Sequence, residues 1–235
     1  MNFGEADRIL TILTERFGKI KAIAKGVRKI KSKMAGSLEP FMVLEMQLHE
    51  GKTFFIVTGS IIQNEFPELH KNLSKTSQAF YIGEIADKLL QENQKVNNVF
   101  QIFCDALREI ENSGSDFLLR IYELRIIEAA GFKPEFYSCI HCKNEITPKD
   151  NYWDSIEGGI ICGNCQQRFH HGKRISDDLI KVFRLIDKGQ YEILKKIKLQ
   201  KEIEAEAEVI LKEYIESILE REIRSEKFMR MIKKS

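Results

Sequence analysis

The sequence predicts an α+β chain in which an N-terminal β-barrel of the OB type precedes a helical domain interrupted by a four-cysteine ribbon. Three observations predict it. Apolar residues alternate with period 2 across residues 8–62, the spacing changes to 3.6 after Phe66 and Pro67, and four of the five cysteines form two CxxC pairs between Cys139 and Cys165. These place one domain at 1–66 and a second at 67–235, with a cysteine hairpin at 136–172.

The strands come first. "RILTILTE" and "KIKAIAKGV" alternate as half-buried strands do, and "PFMVLEMQLHEGKTFFIVTGSII" is two such runs joined by a tight turn at "HEGK". Four or five short strands left as a flat sheet would expose two edges, so a small closed barrel is the economical solution, with an SH3-like barrel as the structural rival. Phe54 and Phe55 are adjacent and point to opposite faces. One of them leaves the barrel interior, either to pack beneath the helices or to stack on a base.

The helices follow. "QAFYIGEIADKLLQEN" and "NVFQIFCDALREIEN" repeat apolar residues three and four apart, as at Val99, Phe103, Leu107 and Ile110. "SDFLLRIYELRIIEAAG" is a third helix, with Ser115 or Asp116 to cap its start and Gly131 where a left-handed residue ends it. Helix returns from about Ser176, and the last long one buries Ile203, Ile210, Tyr214 and Ile218 on one side. Cys104 lies beside an apolar stripe and reads as a small core residue.

Composition sets limits. With 43% apolar and 31% charged residues in 235, the chain is folded rather than disordered. No apolar run approaches the roughly 20 residues that span a bilayer, and charges interrupt "MNFGEADRILTILTERFG", so no membrane segment or signal peptide is expected. Five cysteines, an odd number, then predict reduced thiols in a cytoplasmic protein.

Cys139 and Cys142 with Cys162 and Cys165 form C-x2-C-x19-C-x2-C, in which each pair grips one metal from a tight turn. Four thiolates suit tetrahedral Zn2+ and leave no position for a reacting water, so the expectation is one structural zinc per chain. Gly163 is expected to let the second turn curl, and Trp153 to pack over the hairpin's small core. His141, His170 and His171 are alternative ligands. A redox CxxC lacks its βαβ setting here, while a nucleic-acid-contacting ribbon stays open because Lys143, Lys149, Arg168, Lys173 and Arg174 surround the site.

The charge is polarised although the net value is only +2. From Arg16 to Leu38 there are eight basic and no acidic residues, and residues 1–60 hold ten basic against six acidic. Lys19, Lys21 and Lys25 share strand parity, and the following loop adds Arg28, Lys29, Lys31 and Lys33. Such a strand and loop form a track for a phosphate backbone, against the alternative of a solvated face. No P-loop, GxGxxG, GxSxG or HExxH motif supports an enzymatic reading.

The order of parts resembles the bacterial RecO family. "IKAIAKGVRKIKSKMAGSLEPF" at 20–41 is similar to that family's strand, AKG, basic loop and G-x-L-x-P-F segment. "RIYELRIIEAAGF" at 120–132, the four cysteines and the tail "IRSEKFMRMI" extend the likeness over nearly the whole chain. The resemblance implies a non-catalytic DNA repair and recombination mediator. Such proteins bind single- and double-stranded DNA, anneal complementary strands without ATP and, with RecR, assist RecA in replacing SSB. It implies no small-molecule substrate. By position it assigns DNA binding to Lys19, Lys21, Lys25, Arg28, Lys29, Lys31 and Lys33, and zinc to Cys139, Cys142, Cys162 and Cys165. Arg120 falls at the register that would grip the acidic C-terminal tail of SSB, since a guanidinium fork suits a carboxylate. Family members carry a longer stretch before the counterpart of "EADRILTILTE", whereas Met1 stands only four residues ahead of Glu5. Either the start is assigned too late, or the first barrel strand is short and the barrel incompletely closed. The competing readings are a zinc-stapled adaptor for RNA or an acidic protein, and an enzyme with an unrecognised helical site.

Overall fold

The computed structural model describes residues 1–32, 34–197 and 199–234. The chain falls into two compact units, 1–113 with 225–235, and 114–224. Where the sequence reading divides the chain at residue 66, the helices up to 113 and the C-terminal helix group with the sheet.

In the first unit, β1 (Asn2–Phe3), β2 (Asp7–Thr14), β3 (Gly18–Ala24), β4 (Val43–His49) and β5 (Phe55–Asn64) form one sheet in the order β1-β2-β3-β5-β4. β3 and β5 run parallel and the other pairs antiparallel, which is OB-like strand order. β1 spans two residues, and among the described residues β1 and β4 stand at the two ends of the strand order. Period-2 alternation decides what lies inside. Leu10 and Ile12 of β2, Ala22 and Ala24 of β3, Leu44, Met46 and Leu48 of β4, and Phe55 and Val57 of β5 share one apolar cluster with Val27, Met34 and Leu38.

The opposite face of the sheet carries Lys19 and Lys21. Helices α1 (Pro67–Lys71), α2 (Leu73–Leu89) and α3 (Val99–Asn112) follow, and α9 (Arg224–Lys234) ends the chain. Asn72 caps α2 by accepting from the amides of Ser74 and Lys75. Phe41 packs edge-on against Phe80 of α2, 4.8 Å between ring centres, and α3 buries Val99, Leu107 and Ile110 together with Cys104. Burial raises the Cys104 thiol pKa, in keeping with an inert core residue.

Gly18, in the β2–β3 turn, has φ +68°, and a Cβ there would lie 2.0 Å from the carbonyl oxygen of Gln94. Thr14 holds the turn by donating to the Gly18 carbonyl and accepting from the Phe17 amide, both at 2.9 Å. Gly18→Ala must therefore strain φ and push the connection after α2 away. It is expected to cost about 2 kcal/mol or more, read as a lower urea midpoint at unchanged slope.

The second unit holds α4 (Asp116–Ala129), β6 (Asn151–Asp154), β7 (Gly159–Cys162), α5 (Gly163–Phe169), β8 (Lys173–Arg174), α6 (Asp177–Asp187), α7 (Tyr191–Lys196) and α8 (Lys201–Leu219). Ser115 caps α4, and Gly131 follows its end at φ +95°. The strands form a small sheet in the order β7-β6-β8. Trp153 of β6 is buried between Phe136, 6.0 Å away, and Tyr214 of α8, 5.5 Å away. Glu206 of α8 accepts from the Ser176 amide at 2.7 Å and from its hydroxyl at 2.5 Å, joining α8 to the start of α6. The buried stripe of α8 is Ala207, Ile210, Leu211, Tyr214 and Ile215, with Ile203 and Ile218 at its margins.

Candidate nucleic-acid interface and metal site

The segment after β3 is a chain of turns pinned at its base. The Lys29 amide donates to the Gly26 carbonyl at 3.1 Å, and the Ser32 amide to the Lys29 carbonyl at 2.9 Å. Asp7 accepts from the Gly26 amide at 2.7 Å, and the Arg28 amide donates to the Ala6 carbonyl at 2.9 Å. Val27 and Leu38 sink into the sheet core on either side of the tip. The Arg28 guanidinium reaches the carbonyls of Gly4 and Glu5, at 3.5 and 3.3 Å, while staying exposed. Lys25, Lys29 and Lys31 are exposed as well. Among the described residues, no carboxylate lies within ion-pair distance of any of these four cations. Lys33 lies outside the described residues.

Lys19 and Lys21 are placed differently. Lys19 is 8% exposed, and its ammonium donates to the Asp87 carbonyl oxygen and pairs with the Asp87 carboxylate at 3.3 Å. Lys21 pairs with Glu92 at 2.5 Å, and that hydrogen bond raises the Lys21 pKa above its ordinary value. Both side chains share one face of β3, as their parity predicts, but the carboxylates at the end of α2 and beyond it already neutralise that face. Of the cations expected to line the track, the described ones without a carboxylate partner are those on the loop. Phe55 lies with the sheet core and 6.2 Å from Phe17, while Phe54 is half-buried.

In the second unit the four cysteine sulfurs converge, all within 4.8 Å of one another, with Cys142 and Cys162 3.8 Å apart. A tetrahedron with metal–sulfur bonds of about 2.3 Å has edges of about 3.8 Å, so the cluster matches a four-thiolate zinc site after small adjustments. The first turn closes through Lys143, whose φ is +62° and whose amide donates to the Cys139 carbonyl at 2.9 Å. The second runs from the end of β7 into α5, where Gly163 sits so close to Asp150 that a Cβ would be 3.1 Å from that residue's carbonyl oxygen. Gly163 does not have the left-handed backbone that a curled turn would need, and a side chain there would meet Asp150 tightly.

Burial works against ionising Cys139, but amides of Cys142, Cys162 and His141 directed at its sulfur prevail and lower its pKa to about 6. Burial and the neighbouring thiols push Cys165 up to about 12, and Cys162 is raised too. A bound cation would supply the attraction that these neighbouring thiols need to lose their protons together. His141 stacks on Phe169 at 4.3 Å, and His171 pairs with Asp154 at 2.7 Å, so neither is part of the converging set. Arg184 of α6 anchors the hairpin by donating twice to the Phe136 carbonyl, at 2.9 and 2.8 Å, and once to that of Ile146 at 3.3 Å. Nothing local in the sequence marks Arg184 for that task, since the carbonyls it serves lie 48 and 38 positions away.

Arg120 is 2% exposed on α4 and pairs with the fully buried Glu123 at 2.9 Å. Its Nε also donates to the Asp116 carbonyl at 3.3 Å. No helix of the described residues is long and apolar enough to cross a membrane.

An OB-like sheet with an unneutralised basic loop, and a separate helical unit built around four thiols, define a two-part protein of the α+β class with a candidate metal centre. Residues 1–64 match the family Recombination protein O N terminal, and residues 70–227 match Recombination protein O C terminal. The chain is 34% identical over 220 residues to the DNA repair protein RecO of Dehalococcoides mccartyi strain 195, covering 93% of this chain and 87% of that relative. It is 33% identical over 228 residues to RecO of Roseiflexus sp., covering 96% and 80%, and 31% identical over 228 residues to RecO of Thermoanaerobacter sp., covering 96% and 91%. The chain belongs to the RecO family of DNA repair and recombination proteins.

Proposed function

We propose that this chain is a non-enzymatic recombination mediator that binds single- and double-stranded DNA through its basic loop and anneals complementary strands without ATP. With RecR it then assists RecA in loading onto SSB-coated DNA. The observation that carries the reading is the unneutralised cation set on the pinned loop: Lys25, Arg28, Lys29 and Lys31. Each neutralised phosphate releases counterions, so binding is salt-sensitive and insensitive to sequence. Lys33 joins this track by its place in the sequence. Lys19 and Lys21 contribute to holding the sheet to α2 and its connection, and supply phosphate contacts only where DNA displaces Asp87 and Glu92.

Zn2+ is the ion proposed for the four cysteines, one per chain, with a structural role because the thiolates fill its coordination. The residues that would hold it are Cys139, Cys142, Cys162 and Cys165, and its bound charge would keep all four deprotonated. Binding of the SSB tail at Arg120 requires the incoming carboxylate to take the place of Glu123. A salt titration tests the main reading: anisotropy of labelled DNA should give log Kobs falling linearly with log salt. Tight, salt-insensitive binding, or binding confined to RNA, would favour the adaptor reading instead.

A further inference from the structure

We infer that Ile30 is a wedge that inserts between neighbouring bases of the bound strand while the lysines on either side hold its phosphates. This rests on the proposed DNA-binding role of the loop. Ile30 is 105% exposed, more than any other large apolar side chain described. Isolated exposed apolar residues are ordinary on protein surfaces, so exposure alone says little. Its setting says more. Ile30 and Lys31 occupy the two central positions of the turn closed by the Lys29 carbonyl and the Ser32 amide, so the side chain stands at the tip. Lys29 and Lys31 flank it, both exposed and without a carboxylate partner. The loop is also held at its base by Val27 and Leu38 in the sheet core, by Asp7 on the Gly26 amide, and by Arg28 on the backbone of residues 4–6.

A tip held in this way loses little conformational freedom on binding, and its aliphatic side chain has no water-soluble group to keep it from the bases. Lysines on both sides would hold the backbone, which leaves the branched side chain at the tip free to meet the bases. An isoleucine cannot stack as a ring does. It gains by entering a base step and burying its surface there, as apolar wedges do when they partly unstack nucleic acid. For annealing, a partly unstacked strand would present base edges to its complement.

The experiment uses the full chain and oligonucleotides carrying 2-aminopurine, whose emission rises when its stack opens. The wild type should raise 2-aminopurine emission on binding. Ile30→Ser should abolish that rise and lower affinity about tenfold, the loss expected when one buried aliphatic side chain is removed, with the salt slope unchanged because no charge is altered. Ile30→Trp provides a second readout: the only native tryptophan, Trp153, is buried, so quenching of the new indole by DNA reports the contact. If the wild type shows no salt-sensitive DNA binding, the parent reading has failed. If it binds with the expected slope while Ile30→Ser retains the emission rise and affinity, and Ile30→Trp is not quenched, the wedge alone is wrong. Preferential binding of Ile30→Trp to anionic phosphatidylserine vesicles, with no response to DNA, would also overturn it.

Discussion

Replacing Lys25, Arg28 and Lys29 together by Glu is expected to lower DNA affinity by at least about 100-fold at moderate salt and to reduce the salt slope for single strands by about 2. Three phosphate contacts are removed, and three like charges then repel the backbone. The fold should survive. All three side chains are exposed, and although the Arg28 guanidinium's bonds to the Gly4 and Glu5 carbonyls are lost, Val27, Leu38 and the main-chain bonds of Gly26 and Arg28 still hold the base of the loop. Lys19→Ala gives the contrasting outcome. Its ammonium is buried against Asp87, so the loss should appear in stability, about 1 to 3 kcal/mol in urea unfolding, with little change in DNA affinity. Affinity that followed Lys19 and ignored the loop would return the phosphate track to the strand.

Removing metal from the cysteine hairpin should unfold it. Structural zinc sites of this kind contribute on the order of 10 kcal/mol, and the hairpin's sheet is only three short strands. We expect about one zinc per chain by elemental analysis and a red shift of Trp153 emission on chelation, as the indole loses its packing against Phe136 and Tyr214. Cys139→Ser should have the same effect, since the Cys139 sulfur also accepts from the Cys162 amide at 3.4 Å. Cys104→Ser should leave the zinc content intact, because that thiol is buried on α3 in the first unit. Loading should weaken as pH falls, because the metal must displace protons that the neighbouring thiols hold tightly. Full folding without metal would contradict this account of the hairpin.

How far the sequence speaks for itself depends on the distance over which each interaction acts. Strand alternation marked "RILTILTE" and "KIKAIAKGV" as strands, which supply Leu10, Ile12, Ala22 and Ala24 to the sheet core, and helical spacing marked Val99, Phe103, Leu107 and Ile110, all buried but the half-buried Phe103, because both signals lie within a few residues. The CxxC pairs identified the four sulfurs that converge. Parity showed that Lys19 and Lys21 share a face, but parity is silent on what covers a face. Asp87 lies 68 positions from Lys19, and only folding brings it there. The burial of Arg120 against Glu123 was hidden for a related reason: an i,i+3 pair looks the same in sequence on a solvated helix and on a buried one. Gly163 was singled out for its torsions, whereas the tight approach there is to Asp150, thirteen residues earlier.

Annealing without a nucleotide cofactor is the activity proposed for the loop that Lys25, Arg28, Lys29 and Lys31 make basic. The most direct measurement follows duplex formation between complementary fluorescent oligonucleotides, naked and coated with SSB, in buffer without ATP. Duplex should form faster with the wild-type chain than spontaneously, lose that acceleration in the Lys25, Arg28 and Lys29 reversal, and slow as salt rises. Spontaneous rates with the wild-type chain on both substrates, or equal acceleration by the reversed variant, would contradict it.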